Sequence, residues 1–411
     1  MKILLVAPQC PLPLLNGIRL RTFHLFSRLS QRHDIALLTF ASRDDRKQLP
    51  ALREVFSEVH LVPEVYRSSI QDYAIGALST VPFYVKRMEC AEMGFQVKRL
   101  LSSGRYDIVH VSDARMAGYL VGYPGQAKVV DACDCLALLY RRAFSQARNL
   151  SERLNYLQLW IKTRAYESQV YTKFDRCIVV SRADAEALRA SSPSLAPKVV
   201  PNGVDTDYFR PSPRALINQG PTGDVVPDSF VFVGVMNYAP NVDAARYFAA
   251  EILPKVAYEL PSASFRMVGR TPTKEVFDLL AASNVHLFDD VDDIRPHVLK
   301  SAVFVCPLRV GAGVKNKLLE AMAMGKPVVA TTLACEGLEV RPGQELLVAD
   351  DANDFAESCV GLVQRPDKGA EMADRARLLV ERRYSWQLGV EALEATLAEV
   401  TYERRIGLSL A

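Results

Sequence analysis

Two lysines and a glutamate follow a pair of glycines in the run Gly311-Ala312-Gly313-Val314-Lys315-Asn316-Lys317-Leu318-Leu319-Glu320, and these residue types together suit a diphosphate. Glycines let a chain turn tightly and bring its backbone close to a ligand. A helix starting behind them presents unpartnered N–H groups and the positive end of its dipole, which attract phosphate. Lys315 and Lys317 add side-chain cations at that same end, and Glu320 can accept hydrogen bonds from ribose hydroxyls. An ordinary amphipathic helix would explain Leu318, Leu319, Met322 and Ala323 as a core stripe and Gly325 as its C-cap. It would not explain two lysines and a carboxylate behind a glycine turn.

Other polar candidates sit where apolar runs end. In Tyr106-Asp107-Ile108-Val109-His110-Val111-Ser112-Asp113, His110 either reaches a ligand or is turned by strand alternation into the packing, while Asp113 doubles as a helix N-cap. Asp131 and Asp134 follow another run and are candidates for contacting an acceptor hydroxyl or serving as a base, against a competing role in loop and cap chemistry. The eight cysteines are scattered, and the one residue between Cys133 and Cys135 is neither a metal nor a redox spacing. They read as small buried hydrophobes.

These groups need elements to position them. Near-continuous apolar runs at Lys2–Ala7, Asp34–Phe40, Val59–Val62, Asp107–Ser112, Lys128–Asp131 and Arg176–Ser181 have the character of strands buried on both faces of a parallel sheet. Helical segments lie between them, including a long one from about Leu136 to Thr172. Parallel neighbours require crossover helices, so the pattern is α/β and doubly wound. Residues 211–228, rich in Pro, Gly and polar residues, read as a linker. The alternation then resumes at Phe230–Val235, Ser264–Val268, Val285–Phe288, Val303–Pro307, Pro327–Thr331 and Leu346–Val348, and closes with helices at about Ala352–Arg383 and Trp386–Arg404. The expected organisation is a domain over 1–210, the linker, a domain over 229–385, and a helix in 386–411 packing back toward the first domain. Open parallel sheets bind ligands at the carboxyl ends of their strands, so two Rossmann-like domains should face across a cleft lined by those ends.

Bulk properties narrow the partners. The chain of 411 residues is 49% hydrophobic and 24% charged, which fits globular cores. No apolar run is long enough to span a bilayer, and the start Met1–Pro8 is too short for a secretory signal, so a cytoplasmic location is expected. Residues 1–211 carry 29 Lys+Arg against 20 Asp+Glu, and the remainder 21 against 27. Within the basic half, Tyr140–Tyr171 mixes Arg141, Arg142, Arg148, Arg153, Lys162 and Arg164 with Leu154, Leu157, Trp160 and Ile161. Such a helix either lies peripherally on an anionic membrane or carries a solvated face over an ordinary core contact. Basic residues without an RNA- or DNA-binding motif do not make a nucleic-acid binder. A nicotinamide-dependent dehydrogenase is disfavoured because no G-x-G-x-x-G follows the first apolar run.

The run from Gly311 to Thr331 resembles the donor-binding segment of family-four (group 1) retaining glycosyltransferases of the GT-B fold, many of which assemble bacterial polysaccharides. Further marks of the resemblance are Asn16-Gly17-Ile18-Arg19, Pro201-Asn202-Gly203-Val204-Asp205 and Val233-Gly234-Val235-Met236-Asn237-Tyr238, so it covers nearly the whole chain. It implies a transferase that moves a sugar from a nucleotide-sugar donor to a lipid-linked or growing glycan. No cofactor or divalent metal is then required, because Lys315, Lys317 and a helix N-terminus stabilise the leaving diphosphate. The loop at Gly17 would approach the donor phosphates, the turn at Gly234 and Asn237 would line the opposite wall, and His110 would contact the donor sugar. Gly313 would belong to the phosphate turn, Asp289 to Val291 would border the base, and Glu320 would match the second glutamate of the Glu-x7-Glu motif, which holds the ribose. The first glutamate of that motif falls at Ala312, and the family's Arg…Lys phosphate pair is replaced after Gly234 by Met236-Asn237-Tyr238-Ala239-Pro240-Asn241. A sugar-nucleotide epimerase on the same scaffold and a catalytically weak nucleotide-sugar-binding protein remain alternatives.

Overall fold

The computed structural model describes residues 1–64, 79–147, 149–211, 225–311 and 313–409. It divides into two compact units, one of Met1–Asn202 with Trp386–Ala411, the other of Gly203–Ser385. The boundary therefore falls at Asn202 rather than at 210. Val204 is held in the second unit, donating its N–H to the Tyr384 carbonyl at 2.8 Å and bridging to Ser385.

In the first unit the described strands are β1 (Lys2–Ala7), β2 (Asp34–Ala41), β3 (Glu58–Pro63), β4 (Ile108–Val111), β5 (Lys128–Cys133), β6 (Arg176–Val179) and β7 (Lys198–Val199). They form one sheet in the order β3-β2-β1-β4-β5-β6-β7, every pairing parallel. Both faces are covered, which explains the unbroken apolar runs. Ile3, Leu5 and Ala7 join one core cluster with Leu25, Phe26, Trp386, Val390 and Leu393, while Leu4 and Val6 join the cluster on the opposite face. The last helix, Trp386–Ser409, packs on helix Gly17–Leu29.

The long helix expected from Leu136 to Thr172 is two helices, Leu136–Gln146 and Leu150–Val170. Asn149 starts the second in an extended conformation, its side chain accepting the Glu152 N–H at 2.9 Å. That side-chain bond satisfies one of the orphan donors of a new helix, which is why the continuous charge and apolar pattern conceals a break. The expected Ala352–Arg383 helix likewise divides at Arg365, with Pro366 opening helix Pro366–Arg383 after Ala352–Gln364.

The second unit repeats the plan. Its described strands are β8 (Val226–Val235), β9 (Ser264–Arg270), β10 (Val285–Asp289), β11 (Ser301–Cys306), β12 (Val328–Ala330) and β13 (Leu347–Val348), in the order β10-β9-β8-β11-β12-β13 and again all parallel. Of the expected linker, 212–224 lie outside the described residues, and Val226–Asp228 belong to β8. In each sheet the strand order reverses beside the first strand, between β1 and β4 and between β8 and β11. Those two reversals are the switch points at which such sheets open a crevice.

Candidate active site

At the switch point of the second unit, β8 ends on Val235, one residue past Gly234, and a short turn leads into helix Ala239–Tyr247. β11 ends on Cys306, and the glycine turn leads into helix Asn316–Ala323. Gly313 has φ 70° and Gly311 φ 145°, backbone that L-residues avoid, so the turn needs its glycines. Lys315 folds back over this turn, its ammonium donating to the Gly313 carbonyl. Ala312 lies outside the described residues.

Lys317 reaches toward β8. Its Nζ donates to Asn241 Oδ1 at 2.7 Å and lies 4.3 Å from the centroid of the Phe232 ring. A Cβ on Gly234 would stand 2.9 Å from that Nζ and 2.6 Å from Asn241 Nδ2, so only glycine leaves the room. Gly269, paired with Gly234 across β8 and β9, is tighter still, since a Cβ there would come within 1.8 Å of the Gly234 carbonyl oxygen.

Lys317 and Glu320 keep part of their surface but are ringed by protein. Burial lowers the Lys317 ammonium to about 8, with nearby Lys315 adding to the shift and Cys306 and Glu320 opposing it. Burial raises the Glu320 carboxyl to about 7, opposed by Lys317. Cation and carboxylate on one face of a helix thus sit near neutrality, both able to change charge on meeting a ligand. Asn237 is exposed in the turn after β8, and Val291 is half-buried against the core beyond β10. Gly234, Gly313, Lys315, Lys317 and Glu320 therefore form one connected group, and Asn237 and Val291 stand on the turns beyond β8 and β10.

In the first unit, Gly17 opens helix Gly17–Leu29 behind the cap Asn16, whose side chain accepts the Arg19 N–H at 3.1 Å. Arg21 on this helix donates from Nε to Asp131 Oδ2 at 2.7 Å and from a terminal nitrogen to Asn202 Oδ1 at 2.8 Å. Asp131, at the end of β5, also accepts the Cys133 N–H at 3.0 Å and is 1% exposed. Its first partner is thus a buried guanidinium. Asp134 is half-buried just beyond. His110 is fully buried on β4 against Phe26, with ring centroids 4.8 Å apart, and its Nε2 lies 3.9 Å from Asp131 Oδ2. Burial holds its ring neutral, with a pKa near 4. Of the two placements open to His110, the structure adopts packing inside the sheet, and the ring presents no surface for a sugar. Asp113 caps the following turn, accepting the Arg115 N–H at 2.7 Å.

Two family models match the chain, one described as Glycosyltransferase Family 4 over residues 15–208 and one as Glycosyl transferases group 1 over residues 227–365. The chain belongs to the family-four, group 1 glycosyltransferases. Among curated relatives, an uncharacterized 44.6 kDa protein in the cps region of Klebsiella pneumoniae is 21% identical over 399 residues, covering 93% of this chain and 96% of that protein. The crystal structure of Anabaena HepE in complex with UDP matches with a TM-score of 0.68 at 14% identity, over 97% of this chain and all of that one. WaaG, a glycosyltransferase involved in lipopolysaccharide biosynthesis, matches with a TM-score of 0.66 at 15% identity, over 95% of this chain and 98% of that one. At such identities the structural matches show the fold, which is GT-B.

Asn241 and Arg21 were not singled out in the sequence as site residues. Asn241 lies in the stretch noted after Gly234 but carries no charge to draw attention. Arg21 follows the Asn16–Arg19 mark and looks like any helix arginine until Asp131 is found opposite it.

Proposed function

We propose that this glycosyltransferase takes a sugar from a nucleotide-diphosphate donor and transfers it, with retention of anomeric configuration, to a lipid-linked or growing glycan. The observation that carries the donor side is the group Gly234, Lys317 and Glu320 at the β8/β11 switch point. The glycine turn, the start of helix Asn316–Ala323 and the two lysines stabilise the diphosphate as it leaves, and Glu320 accepts from the ribose. Electrostatic stabilisation of this kind makes a divalent metal unnecessary. Asn237 and Val291 line the outer parts of the donor site, toward the phosphates and the base. On the first unit, Gly17 lies at a helix start suited to approach by phosphates, and Asp134 is the acceptor-side carboxylate. Uridine diphosphate, which HepE holds in its crystal structure, is the first donor class to try.

The test is incubation with a panel of nucleotide sugars and lipid-linked acceptors, with proton NMR of the product anomer. Transfer with the donor configuration kept, at a rate unchanged by a chelator, is expected. An inverted product overturns retention, and loss of rate with chelator overturns metal independence. Conversion of the donor without an acceptor would instead mark an epimerase. Neither transfer nor donor hydrolysis with any donor would leave a binding protein.

A further inference from the structure

The stretch Met236–Asn241 after β8 supplies no cation, yet its last residue is tied to one. Asn241 is 6% exposed on helix Ala239–Tyr247 and uses both ends of its carboxamide. Nδ2 donates to the Val235 carbonyl at 2.9 Å, and Oδ1 accepts from Lys317 Nζ at 2.7 Å. The first bond fixes the amide orientation, because a flipped group would set its NH2 against the ammonium and its oxygen against a carbonyl. The Phe232 ring supports the ammonium from β8, and Gly234 leaves the space for both partners. Two elements thus converge on a cation carried by a third.

We propose that Asn241 is the positioning residue of the donor site: its carboxamide holds the Lys317 ammonium at the end of β8, so that a neutral side chain orients a cation lent by another helix. This rests on the reading of the site as a diphosphate site. A neutral acceptor suits the task because it orients the ammonium without cancelling its charge, whereas a carboxylate would do both. The other ionisable groups facing Lys317 are Cys306 from β11, Lys315 from the glycine turn and Glu320 from its own helix.

The test compares wild type with Asn241→Ala, Asn241→Asp, Lys317→Met and the double variant Asn241→Ala/Lys317→Met. Calorimetry measures binding of a nucleotide-diphosphate sugar against pH, and NMR of 13C-lysine-labelled free protein follows the Lys317 titration. Both single Asn241 variants should weaken donor binding roughly tenfold or more, Asn241→Ala by releasing the ammonium and Asn241→Asp by cancelling its charge. Asn241→Asp should move the alkaline fall in affinity and the Lys317 titration upward, and Asn241→Ala should move both downward. Once Lys317 is methionine, Asn241→Ala should cost nothing further. An unmoved Lys317 titration, or an equal loss in the Lys317→Met background, overturns the proposal. If wild type binds no nucleotide sugar, the donor reading fails by itself, and the NMR titration still decides whether Asn241 holds the ammonium. Should either Asn241 variant fail to fold, Gly234→Ala replaces it, with the same loss of affinity and a shifted Lys317 titration expected.

Discussion

Lys317 and Glu320 are driven toward neutrality from opposite sides by the same burial, and this gives the site a pH window. A bound diphosphate favours the charged lysine and so raises its pKa above the free value near 8. The affinity it contributes is full below about 8 and is lost as pH rises through the bound pKa. Glu320 runs the other way. A ribose that prefers the carboxylate lowers its pKa, so its contribution is present above about 7 and is lost as pH falls below that. Nucleotide-sugar affinity should therefore peak between these values, as calorimetry from pH 5 to 10 would show, and a flat profile would contradict it. Lys317→Met should remove the alkaline limb and cut turnover by about a hundredfold, the scale of losing one preorganised electrostatic donor. Steady-state kinetics would measure that loss. The charges of this window are visible in the sequence, but their shifts depend on burial by residues far apart in the chain, the Phe232 ring among them.

Among the elements, the glycines at the end of β8 and β9 and the buried pair between helix Gly17–Leu29 and β5 are where a single change should be felt most. Gly269→Ala would force a Cβ into the Gly234 carbonyl, and overpacking of this kind costs about 1–3 kcal/mol. Denaturant unfolding should show this loss, together with weaker donor binding from the displaced end of β8. Asp131→Ala would leave Arg21 buried beside Asn202 without its carboxylate. Removing one partner of a buried pair costs about 3–5 kcal/mol. If instead Asp131 acts as a base on the acceptor, turnover would fall with little loss of stability, so the same unfolding experiment separates the two roles. Strand positions were legible because both sheet faces are covered and the strands need no polar side. The burial of His110 was not, since it turns on Phe26 and Asp131, outside its own segment.

At the scale of the whole chain, one helix of the basic first half exposes an apolar stripe. Leu150, Leu154 and Ile161 recur at helical spacing on Leu150–Val170 and are 73%, 58% and 58% exposed, with exposed Arg153 and Arg164 on the same helix. Among the described residues no helix is long and apolar enough to cross a membrane. An apolar stripe flanked by cations suits the surface of an anionic bilayer, which is also where a lipid-linked acceptor is found. The protein should co-sediment with vesicles containing anionic lipid, less so at high salt, and the triple change of these three residues to serine should abolish it. Binding unaffected by the triple change would rule this helix out as the contact.

The sequence by itself determined the two-sheet plan, because buried parallel strands must be apolar on both faces and need helices to return the chain. It also marked the candidate diphosphate segment, because glycines, lysines and a glutamate occur there within one short run. Only the tertiary structure decided that His110 is packing, that Asp131 answers Arg21, and that Lys317 is held by Asn241 over a glycine. Each is a pairing between elements distant in sequence, where hydrogen-bond geometry and desolvation, rather than local residue type, set what a side chain can do.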